Sequence, residues 1–362
     1  MTLSLGAQAR ILVVRRDNIG DLVCTTPLID ALRARYPRAH LAALVNSYNA
    51  EVLEGNPALD AVHVYTKLKH RGTSETALSV ISEKLRLFAT LRRARFDCVL
   101  LAKSGFDRQG LALSRWIGPR AVVGFAPPGG GRARGLTDPV APVAAETLHE
   151  VEVLARLGDA LGVVDALGPL RAYPSTARVA DWRARLPPLS VERKWIALHV
   201  SAREPGRHWP AEKFAALVAA LAADARLGFV LLWAPGAADD PRHPGDDAKA
   251  QAIRSAVPAA VPLLAAPTAR LADLTAILSL CDAFIGADGG ALHLAAAVGL
   301  PTVALFENLE HKKRHWYPWK VPYELVAPAT RDIADIAVEQ VVAAWRRLEA
   351  RDRASVMIGP GR

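Results

Sequence analysis

Short apolar or β-branched runs alternate with longer amphipathic stretches along this chain, and the alternation occurs twice. In the first series, residues 11–14, 40–45, 61–65, 98–101 and 121–124 read as strands, with helices over about 21–36, 75–93 and 146–161. In the second, 195–200, 228–233, 283–286 and 302–306 read as strands, with helices over about 211–223, 247–256, 271–280, 291–298 and 333–351. Strands that alternate with helices pack as a parallel sheet covered on both faces. The expected class is therefore α/β, with two Rossmann-like, doubly wound parallel-sheet domains. Order weakens around 169–188, where Pro174, Pro187 and Pro188 flank a short helical piece at Trp182. This places one domain at 1–175, a linker at 176–189, a second domain at 190–350 and a tail at 352–362. A chain of 362 residues is long enough to bury two cores. In open parallel sheets, ligands sit beyond the carboxyl ends of the strands, so two such halves are expected to share a site in a cleft between them.

Composition narrows the setting. Half of the chain is hydrophobic and 22% is charged, as in folded water-soluble proteins, and no apolar run approaches the roughly 18–20 residues of a membrane span. A cytoplasmic protein is expected. Cys24, Cys98 and Cys281 lie in or beside apolar segments without metal-site spacing, so buried thiols are expected. The net charge of +9 is concentrated in the first half, where residues 62–134 hold 14 basic and 4 acidic residues. Such an excess suits nucleic acid, an anionic membrane surface, a phosphorylated substrate or simply a solvated basic face.

Three segments carry chemistry. After the first strand comes Arg15-Arg16-Asp17-Asn18-Ile19-Gly20-Asp21, a strand-to-helix turn in which Gly20 permits an unusual backbone angle and Asp21 falls at the helix start. Asp21 reads either as an N-cap or as a carboxylate placed to take a proton from an incoming hydroxyl. The first strand of the second half runs into Ser201-Ala202-Arg203-Glu204-Pro205-Gly206-Arg207-His208-Trp209-Pro210. There a hydroxyl and two guanidinium groups stand before a helix, as a diphosphate clamp requires; Trp209, Pro210 and His208 read as structural. In the third, Ala287-Asp288-Gly289-Gly290 links an apolar strand to a helix bearing His293, a junction that suits an anion against free helix N–H groups, with Asp288 ordering sugar hydroxyls. Residues 307–319, with His311 and His315 four apart, read as a basic loop rather than a metal site.

Taken together, Ile19-Gly20-Asp21 with Thr26-Pro27, the 199–210 segment with its His208-Trp209-Pro210, and Asp288 to His293 resemble the glycosyltransferase family 9 heptosyltransferases, in the same order along nearly the whole chain. The resemblance implies a GT-B fold, with acceptor on the first domain and an ADP-sugar, ADP-heptose by preference, on the second. It further implies inverting transfer without metal or other cofactor to a lipopolysaccharide inner core, with Asp21 as the general base. Ser201, Arg203, Arg207, Asp288, Gly289, Gly290 and His293 would hold the donor. The acceptor, a phosphorylated glycolipid at the inner face of the membrane, would meet Asn18, Gly20, Lys67, Lys69, Arg71, Arg132 and Arg134. The chain departs from the family pattern in Gly289, where a hydroxyl residue is usual, in Arg207 for lysine, and in one extra residue between Ser201 and Arg207. A different nucleotide sugar or a capsule or protein acceptor fits the same pattern. A nucleic-acid partner fits poorly, because the basic residues lack interleaved aromatics and Asp21 opposes a phosphate backbone. A dehydrogenase is disfavoured because the first turn lacks G-x-G-x-x-G.

Overall fold

The computed structural model describes residues 3–65, 77–187, 194–240 and 244–357, and divides into two compact units, Met1–Leu170 and Arg171–Arg362. In the first unit the elements are β1 (Arg10–Val14), α1 (Ile19–Val23), α2 (Thr26–Arg35), β2 (His40–Asn46), β3 (Ala61–Tyr65), α3 (Ala77–Arg93), β4 (Cys98–Leu101), α4 (Arg108–Ile117), β5 (Ala121–Phe125), β6 (Asp138–Val140) and α5 (Glu150–Asp159). The second unit holds α6 (Thr176–Arg185), β7 (Lys194–His199), α7 (Ala211–Leu221), β8 (Leu227–Trp233), α8 (Asp247–Ala256), β9 (Leu263–Pro267), α9 (Leu271–Leu278), β10 (Ala283–Ala287), α10 (Gly290–Ala297), β11 (Thr302–Leu305), α11 (Glu310–His315), β12 (Tyr323–Val326) and α12 (Val338–Met357).

Both sheets are parallel and share one strand order. The first runs β3-β2-β1-β4-β5-β6, and the second, read from its other edge, runs β9-β8-β7-β10-β11-β12. This is the doubly wound order 3-2-1-4-5-6, in which the chain changes direction across the sheet between the first and fourth strands. Those switch points lie between β1 and β4 and between β7 and β10. Burial explains why the central strands read as unbroken apolar runs: Ile11, Leu12, Val13 and Val14 are all buried, so both faces of β1 are covered. In the second unit, Ile196, Leu198, Leu231 and Ile285 pack with Phe214, Ile253, Trp345 and Leu348 in one core.

Several elements differ from the sequence expectation for identifiable reasons. The helix expected over 21–36 is two helices, because Pro27 has no N–H to continue the α1 ladder. The Thr25 and Thr26 hydroxyls instead donate to the Asp21 and Val23 carbonyls at 2.8 and 2.7 Å. Residues 176–185, expected as linker, form α6 in the second unit, where Trp182 is buried and Arg178 pairs with Asp273 of α9 at 2.5 Å. Strands β6, β9 and β12 are short edge strands with mixed burial, which leaves little periodicity to read. The last helix starts at Val338 rather than near 333, after a 3₁₀ turn, and runs to Met357, so only 358–362 of the expected tail lie outside the described residues. Helix α10 ends at Gly299, whose φ of 88° is the left-handed stop a glycine supplies.

Close approach at the second switch point demands Gly286. A Cβ there would lie 2.8 Å from the Phe284 ring and 3.2 Å from the His199 carbonyl of β7. The Gly286→Val variant is expected to lose about 1–3 kcal/mol, measured as a lowered urea midpoint with tryptophan fluorescence as the probe.

Candidate active site

At the first switch point the dominant group is one that sequence reading passed over. Arg15, directly after β1, is 2% exposed, and its guanidinium reaches three carboxylates and a carbonyl. Nη2 donates to Asp21 Oδ1 at 2.5 Å, and Nη1 donates to Glu150 Oε1 at 2.8 Å and to the Ala102 carbonyl at 2.5 Å. Nε lies 3.4 Å from Asp17 Oδ2. Because Ala102 follows β4, Arg15 spans the switch point itself. Burial alone would lower the arginine's pKa, but the fields of Glu150, Asp21 and Asp17 more than reverse this and raise it. Glu150, fully buried, opens helix α5, where the positive end of the helix dipole also favours its charge.

Asp21 is therefore not an N-cap. Asn18 occupies that position, and Asp21 is the third helical residue, its Oδ2 accepting from the Asn18 amide at 3.1 Å. One carboxylate oxygen is held by Arg15 and the other by the backbone, with the side chain 15% exposed. Gly20 does not adopt an unusual angle: it is a buried residue inside α1. The loop owes its shape to two buried asparagines. Asn46 Nδ2 donates to the Arg16 and Asp17 carbonyls, both at 2.9 Å, and Asn49 Nδ2 donates to those of Asp17 and Asn18 at 3.2 and 3.3 Å. Asn18 itself is exposed. Among the other expected acceptor residues, Lys67, Lys69 and Arg71 lie outside the described residues, and Arg132 and Arg134 are exposed in the loop before β6.

At the second switch point, Arg207 plays the corresponding spanning part. It follows β7, and its Nη1 and Nη2 reach the Asp288 carbonyl and Oδ2, after β10, both at 3.2 Å. Nε lies 3.1 Å from Glu307 Oε2, and Nη2 is 3.4 Å from Glu204. Lys312 of α11 closes the cluster through Glu307, with Glu204 at 3.5 Å. The region expected as a basic loop thus contains a short helix and a buried acid, Glu307, which gathers three cations, Arg207, Lys312 and Arg331. The Arg207–Glu307 contact also crowds Gly206, where a Cβ would meet Glu307 Oε1 at 3.1 Å. With most of its donors taken by carboxylates, Arg207 orders Asp288 more than it offers a free phosphate clamp.

Burial outweighs the adjacent cations at Asp288, which is 6% exposed and whose carboxyl is pushed up to about 6 despite Arg207 and Lys312. Glu307, by contrast, has its desolvation overcome by hydrogen bonds from Lys312 and Arg207 and is held below its ordinary range. Behind Asp288, Gly289 has an extended backbone, caps α10 without a side-chain bond, and its Cβ position meets nothing within 4 Å. Neither conformation nor packing requires glycine at 289; its effect is open space before the helix N–H groups. His293 is buried, with its ring edge-on to Trp316 at 5.7 Å. Ser201 Oγ accepts from the Ala234 amide at 2.9 Å, joining the ends of β7 and β8, while Arg203 and His208 are exposed. Trp209 is structural as expected: it is buried, packs edge-on to Phe214 at 4.8 Å, and donates to the Ile336 carbonyl at 3.0 Å. His199 is pushed down to about 4 by burial and then by Lys249, so it is neutral near pH 7.

Two doubly wound parallel-sheet units make a GT-B fold, shared with a solved family 9 glycosyltransferase. A family model described as glycosyltransferase family 9 (heptosyltransferase) matches residues 84–338, and the chain belongs to that family. It is 27% identical over 311 residues to lipopolysaccharide heptosyltransferase 3 of Escherichia coli K12, spanning 83% of this chain and 82% of that protein. Its fold is similar to that of a family 9 glycosyltransferase from Veillonella parvula, with a TM-score of 0.81, 19% identity, and 97% and 100% of the two chains covered. It also matches the E. coli heptosyltransferase WaaC solved with ADP, with a TM-score of 0.73, 15% identity, and 94% and 99% covered.

Two outcomes follow from these clusters. Replacing Arg15 by Met leaves Glu150 as an uncompensated buried charge and is expected to lose about 3–5 kcal/mol in denaturant unfolding, whereas Arg15→Met with Glu150→Leu should regain most of that loss. Asp288 binds its proton more tightly in the folded protein (about 6) than at its ordinary value of 3.8. Its contribution to stability is therefore full below the lower value and is lost as pH rises through the higher. Relative to Asp288→Asn, the wild type should lose about 3 kcal/mol between these limits, measured by urea titrations at stepped pH.

Proposed function

We propose that this enzyme transfers a heptose from ADP-heptose to a hydroxyl of a phosphorylated glycolipid of the lipopolysaccharide inner core, with inversion and without a metal ion. The observation that carries the reading is the fixed carboxylate of Asp21 at the first switch point, oriented by Arg15 and the Asn18 amide yet partly open to solvent. In this reading Asp21 takes the proton of the acceptor hydroxyl as its oxygen attacks the anomeric carbon. The bond from that carbon to the diphosphate oxygen breaks, and ADP departs with the electron pair. A single displacement inverts the anomeric centre.

The donor belongs to the second unit. Its diphosphate lies against the uncapped N-terminus of α10 at Gly289 and Gly290, where helix N–H groups meet developing negative charge without reorganisation. Arg207 keeps Asp288 turned for the sugar hydroxyls, while Ser201, Arg203 and His293 border the same switch point. The Gly289 opening leaves room beside the diphosphate that a hydroxyl side chain would fill. Support for an adenine nucleotide comes from WaaC, solved with ADP and with ADP-2-deoxy-2-fluoro heptose, and support for the acceptor from the name of the lipopolysaccharide heptosyltransferase 3 relative. The acceptor meets the first unit through Asn18, Arg132 and Arg134, exposed in the structure, together with Lys67, Lys69 and Arg71; buried Gly20 is not among its contacts. Among the described residues no helix is long and apolar enough to cross a membrane. Action in the cytoplasm, at the inner face of the inner membrane, fits the donor and acceptor proposed.

The Asp21→Asn variant tests the base. Transfer from ADP-heptose is expected to fall by about 10²–10⁴ while ADP affinity, measured by titration calorimetry, stays at the wild-type value; turnover near the wild-type rate would reject Asp21 as base. The same titrations with UDP- and GDP-sugars should show no tight binding, and tight binding of a uridine donor alone would reject the adenine nucleotide.

A further inference from the structure

We infer that one face of the first unit, where α3 meets α4, is a docking surface for an anionic phospholipid bilayer. Two large apolar side chains there stand in solvent: Trp116 at the end of α4 is 67% exposed and Leu85 on α3 is 63% exposed. They belong to one surface. Leu85, Phe88 and Arg92 fall three and four residues apart on the same stripe of α3. The Phe88 ring lies 6.4 Å from that of Trp116, and Arg92 Nη1 donates to the Trp116 carbonyl at 3.2 Å. On α4, Arg115 immediately precedes Trp116, and its Nη2 donates to the Arg134 carbonyl at 2.7 Å.

Charge selects the occupant. Residues 83–97 and 107–120 together contain eight basic residues and three acids, and Arg92 and Arg115 are exposed beside Trp116. A tryptophan and a leucine ringed by arginines match a lipid headgroup boundary: the indole and the aliphatic tip enter the acyl edge, while the guanidinium groups meet phosphates. A second copy of this chain would present the same arginines to themselves. A nucleic-acid strand would leave the Leu85 tip without a partner, since only the aromatic ring offers a stacking face. The surface deepens the proposed function by bringing the first unit to the membrane that would carry a glycolipid acceptor. It uses none of the residues assigned to base or donor.

The test uses the full chain and vesicles that hold no glycolipid, so its result is independent of transfer activity. Wild-type protein is expected to co-sediment with vesicles of phosphatidylcholine containing about a third phosphatidylglycerol, and to remain in the supernatant with phosphatidylcholine alone. Trp116→Ser with Leu85→Ser should cut the bound fraction at least about fivefold at every salt concentration. Arg92→Gln with Arg115→Gln should flatten the dependence on salt and on phosphatidylglycerol. Circular dichroism melting and ADP titration of the same variants should match the wild type, which separates loss of the surface from misfolding and from failure of the donor reading. Equal binding to neutral vesicles, or unchanged binding of the Trp116/Leu85 variant, would overturn the inference. So would wild-type self-association abolished by Trp116→Ser, or RNA retention at physiological salt that displaces the vesicles.

Discussion

A guanidinium removed from water has to find carboxylates, and much of the first unit's business end is organised by that requirement at Arg15. Its partners come from four places in the chain: the loop after β1, the first turn of α1, the end of β4 and the start of α5. Fixing one side chain therefore fixes the mutual positions of the elements that border the switch point. Asp21 inherits its orientation from this arrangement, since Arg15 can move only if Glu150 and the Ala102 carbonyl give way. Buried ion pairs are uncertain contributors to net stability but strong enforcers of geometry once formed, because an unpaired member is so unfavourable. That is the property a positioned base needs.

The second unit repeats the device with different charges. Arg207 again leaves the loop after the first strand and reaches the residue after the fourth, here Asp288, but its surroundings hold more acid than base. Asp288, Glu204 and Glu307 face Arg207 and Lys312, so the cluster is close to electrical balance and offers no large free positive charge. In the proposed donor site, anion affinity then falls mainly to the amides that begin α10, which has no side-chain cap, beside the open space at Gly289. The raised carboxyl of Asp288 and the lowered one of Glu307 illustrate one principle: similar cations surround both, but direct hydrogen bonds to Glu307 overcome a desolvation that wins at Asp288.

Sequence made the architecture readable because the central strands are buried on both faces and appear as unbroken apolar runs, as at 11–14 and 283–286. The edge strands β6, β9 and β12 were missed, being short and half covered, and Pro27 split a helix whose apolar pattern runs straight through it. Local motifs located Asp21, Asp288 and the 201–210 loop. They missed Arg15 as the organising residue, because its partner Glu150 lies 135 residues away and no spacing rule connects them. Glu307 escaped for a related reason: beside Lys312, Lys313 and Arg314 it looked like one more polar residue of a loop, and only burial reveals it as the anchor for Arg207 and Lys312. Gly20 was read as a conformational necessity but is an ordinary helical residue, whereas Gly289, read as letting a ligand approach the backbone, is extended with open space at its Cβ position.

The division of labour between the switch points is the central claim, and amide hydrogen–deuterium exchange of the full-length protein with and without saturating ADP tests it most directly. The account predicts slowed exchange in residues 201–207 and 289–293, with exchange in residues 15–23 unchanged. Protection of 15–23 with none at 289–293 would contradict it, placing the nucleotide on the unit assigned here to the acceptor.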